Sequence, residues 1–410
     1  MPYVERLAEP LLAEYFAQLP ALMLTGPRAS GKTTTAKRHA KTIVHLDDPL
    51  VAPAYAASPD AIIKTLQEPI LLDEWQAVPE VLGAVKRAVD ADPRPGRFIL
   101  TGSVRADLES ATWPGTGRII RIPIYGLTER EIQRKCATTG FLDKALSGSF
   151  EAFALPSAIP DLPGYLDLAL RGTFPEPALN LTGRARSAWL SGYIDQLLTR
   201  DAQHLRDVRD PTKLRRYFEA TAIKTADRPG EQTLREAAGG IAFETARAFD
   251  NLLCNLFILE LVPAWVSNRL KQLTTTHKRY LVDAALAASV LRLTKAGLIQ
   301  DADMFGRIMD TFVLSQIAPE VALHALEPRI FHLRDNHQHE VDILIELPQG
   351  VIGIEVKAGE KIDRHEARHL EWLRAHLGDR FLAGILLHSG PHGFQLGERV
   401  FALPICALWG

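Results

Sequence analysis

Cysteine is scarce in this chain of 410 residues, and its three cysteines are far apart. Cys136, Cys254 and Cys406 form no C-x-x-C pair, which argues against a zinc site of the usual kind and against a disulfide framework. Such sparse cysteines fit a reducing cytosol. Internal repeats and long low-complexity tracts are also missing from the sequence.

Long apolar runs are missing as well. No segment reaches the ~18 uninterrupted apolar residues that a membrane helix needs. Near the N-terminus, Glu5, Glu9 and Glu14 fall where a signal peptide would carry an apolar stretch. We therefore expect a cytoplasmic protein with no membrane partner.

An excess of charge of either sign is absent too. The 47 Lys and Arg residues against 49 Asp and Glu residues leave a formal net charge of −2. A balance of this kind does not indicate a nucleic-acid-binding protein, so any DNA-binding surface must be local. The length predicts roughly two to four domains.

A phosphate-binding pattern lies near the start of the chain. Residues 25–35 read TGPRASGKTTT, which fits G-x-x-x-x-G-K-[ST] after the apolar run ALML. Backbone N–H groups and a helix N-terminus would face phosphate oxygens there. Lys32 is predicted to reach the β- and γ-phosphates of ATP, and Thr33 to bind Mg²⁺. The predicted nucleotide-binding residues of this loop are Gly26, Pro27, Arg28, Ala29, Ser30, Gly31, Lys32, Thr33 and Thr34.

Two further apolar strands end in polar residues. PILLDEWQ delivers Asp73, predicted to hold Mg²⁺, and Glu74, predicted to align the attacking water as a catalytic residue. RFILTGS ends in Thr101 and Ser103. These hydroxyls either sense the γ-phosphate at the carboxyl edge of a doubly wound sheet or form an ordinary turn, and the sequence leaves both interpretations open.

Apolar runs alternate with helical stretches from about residue 21 to residue 124, which predicts an α/β core with a parallel sheet. The proline-rich segment FALPSAIPDLPGY marks a soft boundary. A helical lid or bridging unit follows. Arg118 and Arg200 are candidates for an arginine finger that acts on a neighbouring subunit of a homo-oligomer. The alternative for each is an ordinary surface ion pair.

From Glu231 onward the sequence predicts a helix, a Gly239-Gly240 turn, a second helix and a hairpin, together a winged helix-turn-helix. Such a fold either places its second helix in a DNA groove or packs as a module inside an ATPase. The local positive charges that could meet phosphates are Arg247, Arg269, Lys271, His277, Lys278 and Arg279.

The stretch HEVDILIELPQGVIGIEVKAGE predicts two strands joined by a turn. Glu355 and Lys357 share one face of the second strand, and Asp342 lies on the first. These residue types suit metal-dependent phosphodiester hydrolysis. Asp342 and Glu355 would bind Mg²⁺, and Lys357 would stabilise the negative charge of the transition state. Asp310, on the helix upstream, can add a further acid. The alternative is a plain hairpin with charged residues on its outer face.

The chain resembles a bacterial and archaeal group of AAA-type ATPases that join a P-loop core to a winged helix and a domain similar to PD-(D/E)xK nucleases. The resemblance extends over nearly the whole length of the chain. The segments that carry it are GPRASGKTT, LDDP, ILLDEWQ, FILTGS, GRIIRIPIYGLTERE, KRYLVDAALAASVL and HEVDILIE with IEVKAG. It implies that Lys32 and Thr33 bind phosphates and Mg²⁺, that Asp73 and Glu74 are the Walker B pair, and that Asp342, Glu355 and Lys357 are the nuclease-like core. Relatives tend to carry Glu where this chain has Asp310, and many look like binding domains that do not cut.

We therefore expect an AAA+-like P-loop core at residues 1–150, a helical lid or linker at 151–230, a winged helix at 231–300 and a nuclease-like, restriction-endonuclease-like α/β domain at 301–410. The leading hypothesis is a Mg²⁺-dependent ATPase that couples nucleotide state to a DNA-directed C-terminal domain, with nuclease activity as one form. The alternative is a regulatory or scaffolding switch whose C-terminal domain recognises a protein or nucleic acid without cutting. A small-molecule kinase ranks last, because nothing in the C-terminal half suggests an acceptor pocket.

Overall fold

The computed structural model describes residues 3–103, 117–201, 210–266, 276–335 and 338–410. The chain divides into two compact units. The first comprises Met1–Leu127 with Asn255–Phe257, and the second Thr128–Cys254 with Ile258–Gly410.

The first unit is a parallel sheet with short helices. Its helices are α1 (Glu9–Phe16), α2 (Lys32–Lys37), α3 (Ala52–Ala57), α4 (Pro59–Ile63) and α5 (Glu80–Ala91). Its strands are β1 (Ala21–Thr25), β2 (Thr42–His45), β3 (Ile70–Asp73), β4 (Phe98–Gly102) and β5 (Ile120–Pro123). The strand order is β2-β3-β4-β1-β5, and the neighbouring pairs are parallel. The predicted α/β core with a parallel sheet is therefore confirmed.

Burial explains why β1, β3 and β4 are short uninterrupted apolar runs. Every residue of these three strands is buried, as expected for central parallel strands covered on both faces. Thr25 at the end of β1 is in register with Gly102 at the end of β4, and β3 runs beside β4 in the same direction. The loops after these strands therefore meet at one edge of the sheet.

The second unit holds the remaining described elements. Its helices are α6 (Glu129–Ile132), α7 (Phe141–Leu146), α8 (Leu162–Arg171), α9 (Pro175–Leu179), α10 (Gly183–Gln196), α11 (Pro211–Ile223), α12 (Glu231–Ala237), α13 (Phe243–Asn255), α14 (Ala284–Val290), α15 (Lys295–Gln300), α16 (Ala302–Leu323) and α17 (Arg368–Leu377). Its strands are β6 (Leu259–Val262), β7 (Lys278–Leu281), β8 (Arg329–Arg334), β9 (Glu340–Leu347), β10 (Gly350–Lys357), β11 (Phe381–His388), β12 (Phe394–Gly397) and β13 (Val400–Pro404).

Six of these strands form a mixed sheet in the order β12-β13-β11-β10-β9-β8. The strands β8, β9 and β10 make an antiparallel meander, whereas β10, β11 and β13 run parallel. The predicted two strands around a Leu347-to-Gly350 turn are β9 and β10, in which Ile343 pairs with Ile354. Asp342 and Glu355 are therefore brought to adjacent strands near one end of the sheet.

Residues 128–150 pack with the end of the chain. The Arg130 guanidinium pairs with the Glu320 carboxylate at 3.3 Å, and the Lys144 ammonium donates to the carbonyl of Gly410 at 2.8 Å. Glu320 also accepts from the backbone N–H of Leu142. The compact units accordingly divide after Leu127, whereas the sequence-based division places this segment with the ATPase core. The finer division into four domains stays a prediction.

The middle region contains α11, α12, a turn, α13 and the β6–β7 hairpin. Gly239 and Gly240 have φ values of 89° and 72°, a left-handed backbone that glycine adopts without strain. The assignment of these elements as a winged helix stays a prediction. Two of its basic residues, Lys278 and Arg279, are buried and paired with acids instead of facing solvent phosphates. Arg269 and Lys271 lie outside the described residues.

Within the described ranges, none of the helices combines the length and apolar composition needed to cross a bilayer.

A buried carboxylate joins two helical segments of the second unit. Asp283 is fully buried and caps α14 by accepting from the backbone N–H of Leu286 at 3.0 Å. It also accepts from the backbone N–H and the hydroxyl of Thr173, at 2.5 and 2.6 Å. Burial raises the pKa of Asp283. One side chain thus satisfies three donors that would otherwise be buried without partners.

We expect Asp283→Ala to destabilise the second unit by about 2–4 kcal/mol. The variant leaves buried donors without an acceptor and also removes the helix cap. Asp301 is the matched control, since it caps α16 from an exposed position through the backbone N–H of Met304. Asp301→Ala should cost only about 1 kcal/mol. Urea unfolding measures both. Equal shifts in the two variants would contradict the structural role given to Asp283.

Candidate functional site

The phosphate-binding pattern forms a tight loop between β1 and α2. Gly26 has a φ of 154°, and a Cβ at this position would lie 2.0 Å from the backbone oxygen of Ile124. Gly31, with a φ of 96°, caps the N-terminus of α2. These two glycines let the backbone turn where another residue would clash or be strained. The loop therefore has the strand, turn and helix context that the sequence pattern requires.

Lys32 is the first residue of α2, and its side chain folds back over the loop. Its ammonium group donates to the backbone carbonyls of Gly26 at 3.0 Å and Pro27 at 2.7 Å. Only 4% of the residue is exposed. Burial lowers the pKa of Lys32 to about 8, while Glu74 and Asp73 oppose the shift. A positive group is thus held inside the loop by neutral carbonyls.

Asp73, the last residue of β3, is the hydrogen-bonding centre of this edge. Its Oδ1 accepts from the Thr33 hydroxyl at 2.7 Å and from the Thr101 hydroxyl, while its Oδ2 lies 2.9 Å from Nδ1 of His45. The partners come from α2, β4 and β2. One buried carboxylate therefore fixes the ends of three elements.

Glu74 is held beside Asp73 in a left-handed backbone conformation, with a φ of 53°. Its backbone N–H donates to the Thr101 hydroxyl at 3.3 Å, and its carboxylate accepts from the Ser103 hydroxyl at 3.2 Å and from Gln76. Such a backbone is uncommon outside glycine and is often retained at functional sites. Thr101 and Ser103, which the sequence left open between sensing and turn roles, both contact the acidic pair.

The donor set at this edge suits ATP with Mg²⁺. Thr33 supplies a hydroxyl and Asp73 a carboxylate, which are the oxygen ligands that Mg²⁺ prefers, and Lys32 supplies a charge for phosphates. The hydrogen bond between Thr33 and Asp73 shows that the two side chains already converge. The remaining loop residues Pro27, Arg28, Ala29, Ser30 and Thr34 lie between the two glycines or just inside α2.

The structure does not bring Arg118 to this site. Arg118 precedes β5, which runs parallel to β1 with Ile120 in register with Leu22. It therefore lies at the amino edge, opposite the loop, and its guanidinium pairs with Asp90 at 2.9 Å. This ion pair is the alternative that the sequence left open for Arg118, and its role as an arginine finger toward a neighbouring subunit stays a prediction. The side chain of Arg200 lies outside the described part of the chain.

Two residues at this edge were missed by the sequence reasoning. Arg6, 4% exposed, donates to the carbonyl of Ser30 at 2.8 Å and to that of Tyr125 at 2.7 Å, so it braces the loop from behind. His45 contacts Asp73 because β2 pairs with β3 in a register that sets these two residues side by side. Neither contact has a local sequence signal, since both depend on how distant segments pair.

The second unit brings together the acids predicted for a nuclease-like site. Asp310 lies on α16, Asp342 on β9 and Glu355 on β10. The residue between them is Lys278 of β7, whose ammonium lies 2.9 Å from Oδ1 of Asp342 and 3.6 Å from Oδ2 of Asp310. Sequence reasoning placed Lys278 on a phosphate-facing surface, and the structure corrects this.

The other predicted pair lies on the same strand. The Lys357 ammonium is 3.2 Å from Oε2 of Glu355, whose Oε1 is buried and has no hydrogen-bond partner within the described residues. Burial raises the pKa of Glu355 to about 7, against the opposing charge of Lys357. Burial also raises the pKa of Asp310 to about 8, and the neighbouring Asp342 adds to the rise. Burial would raise the pKa of Asp342 too, but the Lys278 ammonium holds it below its usual value.

The acids do not fit a divalent metal as they are arranged. Lys278 contacts two of the three carboxylates, those of Asp310 and Asp342. The other oxygen of Asp342, Oδ2, accepts from the backbone N–H of Val356 at 3.2 Å. Across the described ranges, no group of three or more His, Cys, Asp or Glu side chains is placed to hold a metal ion. The predicted Mg²⁺ ligands of the second unit, Asp310, Asp342 and Glu355, therefore lie near one another, with the Lys278 ammonium between the two aspartates.

One family match covers the residues of the first of these sites. Residues 18–133 match the family described as an AAA domain. Residues 163–297 and 305–408 match two domains of unknown function, DUF8612 and DUF4143. The first unit thus contains an AAA-type P-loop domain, which supports a nucleotide-binding ATPase function. The other two matches carry no stated activity.

The chain is also similar along its length to mycobacterial proteins. The uncharacterized proteins Mb2031c of Mycobacterium bovis and Rv2008c of Mycobacterium tuberculosis are each 26% identical over 393 residues, which is 94% of this chain and 80% of theirs. Among solved structures, the Walker-type ATPase PABY2304 of Pyrococcus abyssi is 16% identical with a TM-score of 0.40, covering 72% of this chain and 99% of that one. Protein VC1899 from Vibrio cholerae is 10% identical with a TM-score of 0.20, covering 95% of each chain. These two structural likenesses are too weak to assign a fold.

We expect Thr101→Val to lower the rate of ATP hydrolysis about 10- to 100-fold, because it removes the hydroxyl that orients Asp73 and Glu74 while keeping the side-chain shape. Thr42→Val is the matched control. Thr42 lies in the same sheet at its amino edge and donates to the carbonyl of Gln67. Steady-state phosphate release measures both variants, and an unimpaired Thr101→Val would show that this contact does not orient the acids.

Proposed function

We propose that the first unit binds ATP with Mg²⁺ and hydrolyses it, and that the bound nucleotide controls the second unit. The observation that carries the ATPase proposal is the meeting of Lys32, Thr33, Asp73 and Glu74 at the carboxyl edge of one parallel sheet. Open α/β sheets bind their ligands at this edge. The AAA domain match over the same residues supports it.

Each residue has a distinct role in this proposal. The loop from Gly26 to Thr34 binds the phosphates through its backbone N–H groups, and Lys32 leaves its carbonyl partners to contact the β- and γ-phosphates. Thr33 and Asp73 hold Mg²⁺, which when bound neutralises phosphate charge. Glu74 aligns the water for in-line attack, and Ser103 and Thr101 keep the two acids in position.

In this proposal, ATP binding and hydrolysis in the first unit change the state of the second unit. A DNA-directed domain, in one form a Mg²⁺-dependent nuclease with Asp310, Asp342, Glu355 and Lys357, is the leading hypothesis from the sequence. The position of Lys278 favours the alternative, a switch whose C-terminal domain recognises nucleic acid or protein without cutting. The burial of Arg279 also removes charge that DNA contact would use. A protein partner or a homo-oligomer fits this switch equally.

Lys32→Ala is expected to lower ATP hydrolysis by about 100-fold or more, since it removes a preorganised charge from the transferred phosphate. Lys37→Ala is the matched control, because Lys37 lies on the same helix with an exposed side chain. Phosphate release by the full chain in Mg²⁺ measures both. Hydrolysis that survives in Lys32→Ala and Lys37→Ala alike would locate the activity elsewhere or in a contaminant.

Glu74→Gln should separate binding from chemistry. It keeps the size of the side chain but loses the charge that aligns water, so we expect a rate lower by about 10²- to 10⁴-fold with ATP still bound. Glu80→Gln, at an exposed position at the start of α5, is the control. Binding of a fluorescent ATP analogue measures affinity. Loss of binding and hydrolysis together would show that Glu74 supports the fold of the loop and not the attacking water.

The two hypotheses for the second unit differ in one assay. Linear and circular DNA are incubated with the full chain in Mg²⁺ or Mn²⁺, with and without ATP, beside Glu355→Ala. We expect no cleavage, because Lys278 already pairs with the acids that cleavage would need for a metal. Cleavage that disappears in Glu355→Ala would establish the nuclease and reject the non-cutting switch.

A further inference from the structure

The acidic cluster of the second unit comprises the three carboxylates of Asp310, Asp342 and Glu355, with Lys357 paired to Glu355. A metal shared by Asp310 and Asp342 would have to lie between their carboxylates, at about 2.0–2.1 Å from the oxygens if it were Mg²⁺. The Lys278 ammonium occupies this place, at 2.9 Å from one carboxylate and 3.6 Å from the other. The ammonium and a metal ion cannot both lie there.

Lys278 is buried on all sides. The residue is 4% exposed, and its ammonium lies 5.4 Å from the ring centroid of Tyr280, which is two residues further along β7 and also buried. Removing a lysine charge from water is costly unless the charge is paired. The two aspartates and the aromatic ring provide that pairing. This lysine therefore depends on the cluster as much as the cluster depends on it.

The backbone around Lys278 is fixed. Lys278 pairs with Val262 of β6, and the next residue, Arg279, bonds through its backbone to Ala226 at 2.7 Å and to Asp227 at 2.8 Å. The Arg279 guanidinium pairs in addition with Asp250. Because this strand is hydrogen-bonded on both sides, Lys278 is a permanent part of the site.

The charges are already balanced to a large extent without a metal. Two ammonium groups, those of Lys278 and Lys357, face the three carboxylates of the cluster. Adding a divalent cation between the aspartates would place it at short range from the buried ammonium of Lys278, and this repulsion costs energy in a buried site. The cluster therefore has at most one uncompensated negative charge, fewer than the two positive charges of a divalent ion.

We infer that the ammonium group of Lys278 takes the place of a divalent metal between Asp310 and Asp342, so that this cluster is an intramolecular ion-pair network and not a metal centre. The network joins α16, β7 and β9, and it leaves the second unit without the metal that phosphodiester hydrolysis would use. The inference concerns the second unit alone and does not depend on ATP hydrolysis by the first.

Mn²⁺ binding tests the inference. The free Mn²⁺ signal in electron paramagnetic resonance is followed while the full chain is titrated without nucleotide, up to about 1 mM metal. Sites in the first unit are separated by comparison with Asp342→Asn. We expect wild type and Asp342→Asn to bind the same amount of Mn²⁺. Lys278→Met, which removes the charge but keeps an unbranched side chain, should gain one Mn²⁺ per chain, and Lys278→Met/Asp342→Asn should lose it again.

Lys295→Met is the control for the loss of a lysine, because Lys295 forms an exposed ion pair with Asp167. It should gain no Mn²⁺. The inference is overturned if wild type binds a Mn²⁺ that Asp342→Asn lacks, or if folded Lys278→Met gains none. Circular dichroism establishes folding, and Lys278→Gln replaces Lys278→Met if the latter does not fold. The wild-type comparison with Asp342→Asn needs neither lysine variant.

Discussion

A buried charge must find a partner of opposite charge or a set of hydrogen bonds, and this constraint decides the architecture of both units. Asp73 in the first unit, and Asp283 and Lys278 in the second, are each buried and each contacted from more than one element of the fold. An unpaired charge in such a place would cost several kcal/mol. The partners therefore fix how strands and helices meet, beyond what apolar packing specifies.

The same constraint has different outcomes at the two sites. At the sheet edge of the first unit, Lys32 is bound only by neutral carbonyls, and Asp73 by a histidine and two hydroxyls. Phosphates and a metal can replace such partners. In the second unit, Asp342 is bound by a charged lysine on a fixed strand. The first arrangement suits a site that takes up and releases a ligand, whereas the second suits a structural network.

Motifs whose parts are close in sequence were predictable. The loop from Gly26 to Thr34 and the acids after β3 follow from strand and turn patterns that need no knowledge of distant contacts. His45 was not predictable, because its contact with Asp73 depends on the register between β2 and β3. Arg6 was missed because its carbonyl partners, Ser30 and Tyr125, are distant from it in sequence.

The acidic cluster shows what local sequence patterns do not predict. The strand pattern correctly brings Asp342 and Glu355 to neighbouring strands, but the pattern says nothing about what fills the space between the acids. In the sequence KRYL, Lys278 and Arg279 indicate a basic surface, because lysine and arginine side chains are mostly exposed in folded proteins. Both faces of β7 are covered, so both side chains are buried. The identity of the cation between the acids is a tertiary property, which one sequence does not contain.

We propose that ATP with Mg²⁺ binds at the carboxyl edge of the parallel sheet. Calorimetric titration of ATP into the full chain, with Mg²⁺ and with a chelator, beside the Asp73→Asn variant, tests whether it does. We expect one ATP per chain, with an affinity that Mg²⁺ increases in wild type but not in Asp73→Asn. Absence of ATP binding, or binding whose Mg²⁺ dependence is unchanged in Asp73→Asn, would contradict it.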